Sequence, residues 1–280
     1  EISCSLVGSE MCIRDSTNLG VFADNGELQK SWNIASDTSR FEDEYGILIL
    51  SLLKNSNIAP HIDSAIISSV VAPLCETYKT ALEKYLNITP FILTHKAKLP
   101  VKIDLKQPKE AGADRLANAS AAAVLYKLPA IVIDLGTATS FDIVDENKNF
   151  IGGIIAPGLK IQAKSLSRFT SKLPKLKIEA PQNAIGKDTI SAMLSGIVRG
   201  HAAMIEGMIE QCEEELGQKA TVIATGGYSC VLFDTMKREF DYINPSLTLE
   251  GLKILYGMNC GECENDKQNN LKSTETAALL

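Results

Sequence analysis

No stretch of this 280-residue chain approaches the roughly 20 consecutive apolar residues that a membrane-spanning helix needs. SAIISSVVAPL comes nearest and falls well short. There is no concentrated Lys/Arg run either. With 28 basic against 34 acidic residues the net charge is −6, which lacks the basic footprint of a protein that grips a nucleic-acid backbone. Neither G-x-S-x-G nor G-x-x-x-x-G-K-[ST] occurs, so a hydrolase elbow and a P-loop are both unsupported. The seven cysteines are scattered through segments that mostly read as core, which suits a reducing cytosol better than a disulfide scaffold. Cys260 and Cys263 form a C-x-x-C, but no second pair or nearby His completes a zinc site. His61, His95 and His201 lie far apart and read as solvated or packed residues. What remains is a chain with 45% hydrophobic and 22% charged residues, enough apolar material for two domains or one duplicated domain.

Residues 1–16 (EISCSLVGSEMCIRDS) show no clean period of 2 or 3.6 and none of the features of a signal peptide. They read as foreign or mistranslated sequence replacing a first strand, with an unusual but real N-terminal arm as the alternative. From Thr17 onward the pattern becomes regular. A hairpin at 17–35 turns at Asp24-Asn25-Gly26. A helix near 41–55, a buried strand at 64–71, a helix at 73–86 begun by Pro73, and a strand at 89–94 follow. Residues 96–110 read as an ordered loop, and 112–126 as a helix rich in small residues. The plan then repeats, with strands at 130–134, 140–144 and 150–155, helices near 158–172 and 187–215, and a strand at 221–224. A helix at 228–239, a short strand at 241–243 and a helix at 248–257 complete it. Two mixed sheets flanked by helices, with a cleft between two domains (17–111 and 112–258), are the expected architecture. The polar tail 259–280 is expected to lack fixed structure.

Four segments are candidates for chemistry. In IVIDLGTATSFDIVD a buried strand ends in Asp134 and turns through Leu-Gly-Thr-Ala-Thr. Backbone amides and the Thr137 and Thr139 hydroxyls of such a turn can face phosphate oxygens, and the Asp can hold a cation beside them. A purely structural Asp turn is the alternative. In EAGADRLANA, Gly112 and Ala113 leave a helix start unobstructed, Arg115 can bind an anion in a bidentate manner, and Asp114 can accept a proton from an attacking hydroxyl. A solvated Asp-Arg pair would look the same. IATGGYS places Gly226 and Gly227 after a strand, where a nucleotide can approach the backbone or where a plain turn suffices. Lys187, Asp188 and Thr189 open a further helix, which Thr189 can cap or leave for a ligand.

These segments, with Gly152-Gly153-Ile154-Ile155-Ala156-Pro157-Gly158, Ile185-Gly186-Lys187-Asp188-Thr189 and Leu247-Thr248-Leu249-Glu250-Gly251-Leu252, occur in the order of type III pantothenate kinase, which the chain resembles over about residues 17–257. That resemblance implies an α/β fold of duplicated ribonuclease H-like domains, as in actin, heat-shock chaperones and sugar kinases. It implies a cytoplasmic homodimeric enzyme that uses ATP, magnesium and a monovalent cation (potassium or ammonium) to phosphorylate pantothenate, the first step toward coenzyme A. It further implies Asp114 as proton acceptor, Gly112, Ala113, Asp114, Arg115 and Thr189 at pantothenate, Thr137, Gly226 and Gly227 at ATP, and Asp134 at the monovalent cation.

Two departures accompany the resemblance. The family opens with Asp-x-Gly-Asn-Thr, which cradles ATP phosphates and positions magnesium; that motif should fall within residues 1–16 and is absent there. Many members carry a Tyr seven residues before the Gly112 position, where Leu105 stands. An impaired kinase, a non-catalytic nucleotide- or pantothenate-binding accessory protein, and another phosphotransferase of the same superfamily are the competing expectations.

Overall fold

The computed structural model describes residues 4–12, 16–23, 25–56, 58, 62–69, 71–233 and 235–260, with side chains from Ser16 onward. The first strands are β1 (Cys4–Cys12), β2 (Ser16–Ala23) and β3 (Leu28–Ile34). Helix α1 (Glu42–Asn55), strand β4 (Ile62–Ile67), helix α2 (Ala72–Leu86) and the two-residue strand β5 (Phe91–Ile92) follow. Next come β6 (Lys102–Ile103), α3 (Ala113–Leu125), β7 (Ala130–Leu135), β8 (Ala138–Val144), β9 (Asn149–Pro157) and α4 (Leu159–Phe169). Helices α5 (Thr189–Leu194) and α6 (Gly200–Leu216), strand β10 (Thr221–Thr225), the short helix α7 (Ser229–Phe233), strand β11 (Tyr242–Ile243) and helix α8 (residues 247–260) complete the chain.

Helix ends follow from local chemistry. Three acidic residues, Glu42, Asp43 and Glu44, occupy the first turn of α1 and Lys54 its last, complementing the helix dipole at both ends. Pro73 sits in the first turn of α2, and Asn87 stops that helix in the left-handed conformation. Gly217 ends α6 in the same way. Between α5 and α6 the chain widens into one π turn, Ser195–Arg199, so the expected long helix continues with a bulge near its glycines.

One strand order occurs twice. The first sheet runs β3-β2-β1-β4-β5; the second runs β9-β8-β7-β10-β11, with β6 added beyond β9. In each, an antiparallel meander is followed by a strand parallel to the first and another parallel to that one. The repeat extends to register. Met11 pairs Thr17 and Cys12 pairs Ser16 around one turn; Asp134 pairs Ser140 and Leu135 pairs Thr139 around the other. The segment that reads as foreign therefore supplies a first strand, and Met11 occupies the place that Asp134 holds in the second copy.

By contacts the chain divides into two units. One comprises the residues up to Pro100, Lys109–Ser120 and those from Leu249 onward; the other comprises Val101–Pro108 and Ala121–Thr248. This differs from the expected boundary at 111/112. The GADR segment belongs to the first unit because α3 packs there against α8: Ala113 and Ala117 share a core with Phe22, Leu249, Leu252 and Leu255. Gly251 permits that packing, since a Cβ there would press on the Ala117 backbone. In the first unit α1 and α2 also cover the sheet through Tyr45, Ile49, Tyr78 and Leu82. The second unit centres on Ile131, Ile133, Phe141, Ile197, Val198 and Ile205.

Four further expectations are corrected. The loop 96–110 contributes β6, which pairs with Asn149 and Phe150. The strand expected at 89–94 shrinks to Phe91–Ile92, and the helix expected at 228–239 to Ser229–Phe233. Residues 259 and 260 of the expected tail are helical, where Asn259 bonds to both the N–H and the C=O of Lys98. The remainder of that tail lies outside the described residues.

Candidate active site

In the second unit four segments converge on the end of β7. Asp134 is the penultimate residue of that central strand, only 5% exposed, with Thr225 of β10 and Ser140 of β8 on either side. The turn after it is held from two directions. Gly158 donates its N–H to the Thr137 carbonyl at 3.1 Å, and a Cβ on Gly158 would strike the carbonyls of Gly136 and Thr137. Tyr228 donates its N–H to the Leu135 carbonyl at 3.4 Å. Gly226 adopts φ +87°, a conformation natural to glycine, and lies against Asp134 and the Leu135 backbone. Asp134, Gly136, Thr137, Gly226 and Gly227 thus occupy neighbouring turns at the carboxyl end of a sheet, where ligands of open α/β sheets bind. Thr137 is half-buried and Gly227 exposed.

Thr139 does not share that position. It is 1% exposed, and its Oγ1 lies 2.8 Å from Nε2 of the buried His201. Its side chain meets α6, which covers the sheet, rather than the open turn.

In the first unit, Asp114 stands in the first turn of α3 and accepts a hydrogen bond from the Arg115 N–H at 2.8 Å. Burial pushes its carboxyl above the usual range, against the lowering effects of the Arg115 amide and guanidinium. Gly112 accommodates the carboxylate, because a Cβ at that position would collide with Asp114 Oδ1. Ala113 is buried in the core, whereas Arg115 is half-buried.

Thr189 is the first residue of α5 and is exposed. It does not cap the helix. Asp188 does, accepting a hydrogen bond from the Ser191 N–H at 2.9 Å. A cavity of about 740 Å³ is lined there by Glu179, Asn183, Lys187, Asp188, Ile190 and Ser191, among others. The loop beside it is tied to the π turn, where Arg199 donates to the Pro181 and Gln182 carbonyls at 3.1 and 3.0 Å. Leu105 lies in the second unit, half-buried.

Comparison with known proteins gives the family. A family model for type III pantothenate kinase matches residues 16–211. A curated type III pantothenate kinase from Dehalococcoides mccartyi (strain CBDB1) is 42% identical over 245 residues, 87% of this chain and 92% of the relative. Two solved structures share the fold at low identity. A Baf family transcriptional activator from Campylobacter jejuni matches with TM-score 0.54 and 18% identity over 91% of this chain and 97% of its own. A ROK family glucokinase from Streptomyces griseus, in complex with glucose and AMPPNP, matches with TM-score 0.52 and 12% identity over 91% and 99%. With 42% identity over most of its length and a family match over residues 16–211, the chain belongs to the type III pantothenate kinase family.

Proposed function

We propose that this chain transfers the γ-phosphoryl group of ATP to the terminal hydroxyl of pantothenate, the first step toward coenzyme A. The observation that carries this reading is the 42% identity to curated enzymes of that activity over 87% of the chain. In the reaction the bond between the γ-phosphorus and the bridging oxygen of ATP breaks and one to the pantothenate oxygen forms. The alcohol proton passes to Asp114, whose raised affinity for protons suits a base that must pick one up. Gly112, Ala113, Arg115 and Thr189 are assigned to pantothenate, and Arg115 offers a fork of donors to its carboxylate. Ala113 serves through its backbone, since its side chain is in the core. The Gly136–Thr137 turn takes the ATP phosphates on its amides and hydroxyl, and Gly226 and Gly227 accept the nucleotide against bare backbone.

Asp134 fits a monovalent cation. It is a buried carboxylate at a strand end, and among the described residues no group of three or more His, Cys, Asp or Glu side chains forms a denser metal site. A potassium or ammonium ion there would offset phosphate charge. Magnesium fits less well. The repeat places Met11 where a second strand-end carboxylate would stand, and a thioether is a poor ligand for a hard cation. Impaired turnover in this chain is therefore part of the reading, and the absent carboxylate also favours a second one, nucleotide or pantothenate binding without turnover.

A homodimer is part of the proposal, supported by exposed Phe169 (80%) and Ile185 (83%) in the second unit. So is a cytoplasmic location: no helix among the described residues is long and apolar enough to cross a membrane. A coupled assay with ATP, magnesium, potassium and pantothenate tests the activity, and light scattering the dimer. Turnover on a sugar or acetate but not pantothenate, after the missing motif is restored, would reject the substrate assignment.

A further inference from the structure

Beneath the Asp134 turn lies a chain of hydrogen bonds that the proposed reaction does not account for. Gln162, on α4, places its Nε2 2.8 Å from the Pro157 carbonyl and 2.8 Å from His201 Nδ1. His201, on α6 and 2% exposed, places Nε2 2.8 Å from Thr139 Oγ1. Donor and acceptor roles follow from chemistry. A carbonyl oxygen can only accept, so the Gln162 group facing Pro157 is its NH₂, and the second N–H of that group points to His201 Nδ1. Nδ1 therefore accepts, the imidazole proton resides on Nε2, and it is donated to Thr139. A protonated ring would set a second N–H against that of Gln162, and burial independently keeps His201 neutral, lowering its pKa to about 4.

The partners are placed where they matter. Thr139 pairs with Leu135 across the turn and with Ala156 on the other side. Pro157 pairs with Ala138, and Gly158 bonds to Thr137. The Gln162–His201–Thr139 chain thus ties α4, α6 and both strands of the hairpin to the residues on either side of Thr137.

We propose that His201, oriented by Gln162, is a positioning residue for the nucleotide-phosphate turn: its Nε2–H holds Thr139 so that the Gly136–Ala138 amides and the Thr137 hydroxyl keep one geometry toward ATP. The inference rests on the assignment of that turn to ATP. A hydrogen bond to a buried partner whose loss leaves a polar group unsatisfied corresponds to roughly a tenfold effect.

The test is titration of the full chain with ATP in magnesium and potassium chloride, read by calorimetry, for variants at four positions. His201→Phe is expected to weaken ATP binding about tenfold. His201→Gln, whose amide can both accept from Gln162 and donate to Thr139, is expected to restore it to within about twofold, which a purely space-filling role would not do. Imidazole ¹⁵N shifts of the unsubstituted protein should report the Nε2–H neutral tautomer from pH 8 down to pH 5. Should His201→Phe fail to fold, Gln162→Leu and Thr139→Val interrupt the same chain and carry the same expectation. Unchanged ATP affinity in all of these, an Nδ1–H tautomer, or a loss in His201→Phe that His201→Gln leaves uncorrected would overturn the proposal. Thr137→Val separates the two levels. If it weakens ATP while the His201 variants do not, the positioning role fails alone; if neither moves ATP binding, the assignment of the turn fails with it.

Discussion

Gly226 and Asp134 touch: a Cβ built on Gly226 would stand 2.7 Å from Asp134 Oδ1 and 2.7 Å from the Leu135 backbone. Any other residue at 226 would meet that carboxylate while strained at φ +87°. Gly226→Ala is therefore expected to destabilise the second unit by about 1–2 kcal/mol from backbone strain alone. Displacement of Asp134 should also reduce stimulation by potassium. Urea unfolding and a potassium titration of activity check both; an unchanged potassium response would show that Asp134 is not displaced or does not hold the ion.

Replacing Asp114 by Asn should lower turnover by about 10²–10⁴-fold, the usual contribution of a positioned base. A base must be ionised to accept a proton, so kcat/KM should fall as pH drops through the pKa of Asp114. Because burial raises that pKa, the acid limb should lie above the usual carboxylate range. The same variant should be more stable than the parent at neutral pH. The sign follows from linkage: an acid whose folded pKa exceeds its unfolded value loses stability as pH rises through that range. A pH–rate profile and thermal melts of the pair measure both effects, and full activity in Asp114→Asn would remove the residue from its role.

The repeated register specifies a repair. Met11→Asp and Ile13→Gly, with Arg14→Asn and Asp15→Thr, write the missing motif at the positions corresponding to Asp134 and the turn after it. Turnover with pantothenate is expected to rise by at least about tenfold, the scale of one charge-assisted contact to phosphate or its cation. Equal rates before and after, measured at saturating ATP and magnesium, would mean that residues 11–15 do not limit activity.

Acid should loosen the second unit at Glu213. This carboxylate, inward-facing on α6, binds Arg238 through both oxygens at 2.6 and 2.8 Å and Lys219 at 2.7 Å. Arg238 above all holds its pKa down, to about 2 from an ordinary 4.5. A depressed folded pKa contributes stability that is fully present above the unfolded value and is lost as pH falls from about 4.5 toward 2. Glu213→Gln should cost about 2–4 kcal/mol at pH 7, and less as pH drops below 4.5. Urea midpoints of both proteins across that range supply the measurement.

The hairpins and most helices were legible because their signals are local: Asp24-Asn25-Gly26 is turn chemistry, and Pro73 starts a helix in any context. The short elements were not. β5, β6 and β11 have two residues each and exist only because a distant strand offers them hydrogen bonds. The assignment of residues 109–120 to the first unit depends on Gly251 meeting Ala117, a contact 134 positions apart in sequence, which no spacing rule reveals. The segments around Asp134 and Asp114 could be read from composition and turn residues. The burial of Thr139 against His201 could not, since a strand's inward side is settled only once helices cover it.

A duplicated plan contains its own control. When one strand order occurs twice in a chain, each turn has a counterpart within the same molecule, so a departure in either is visible without reference to any other protein. The difference between Met11 and Asp134 is such a mark, at the same register position of the two sheets.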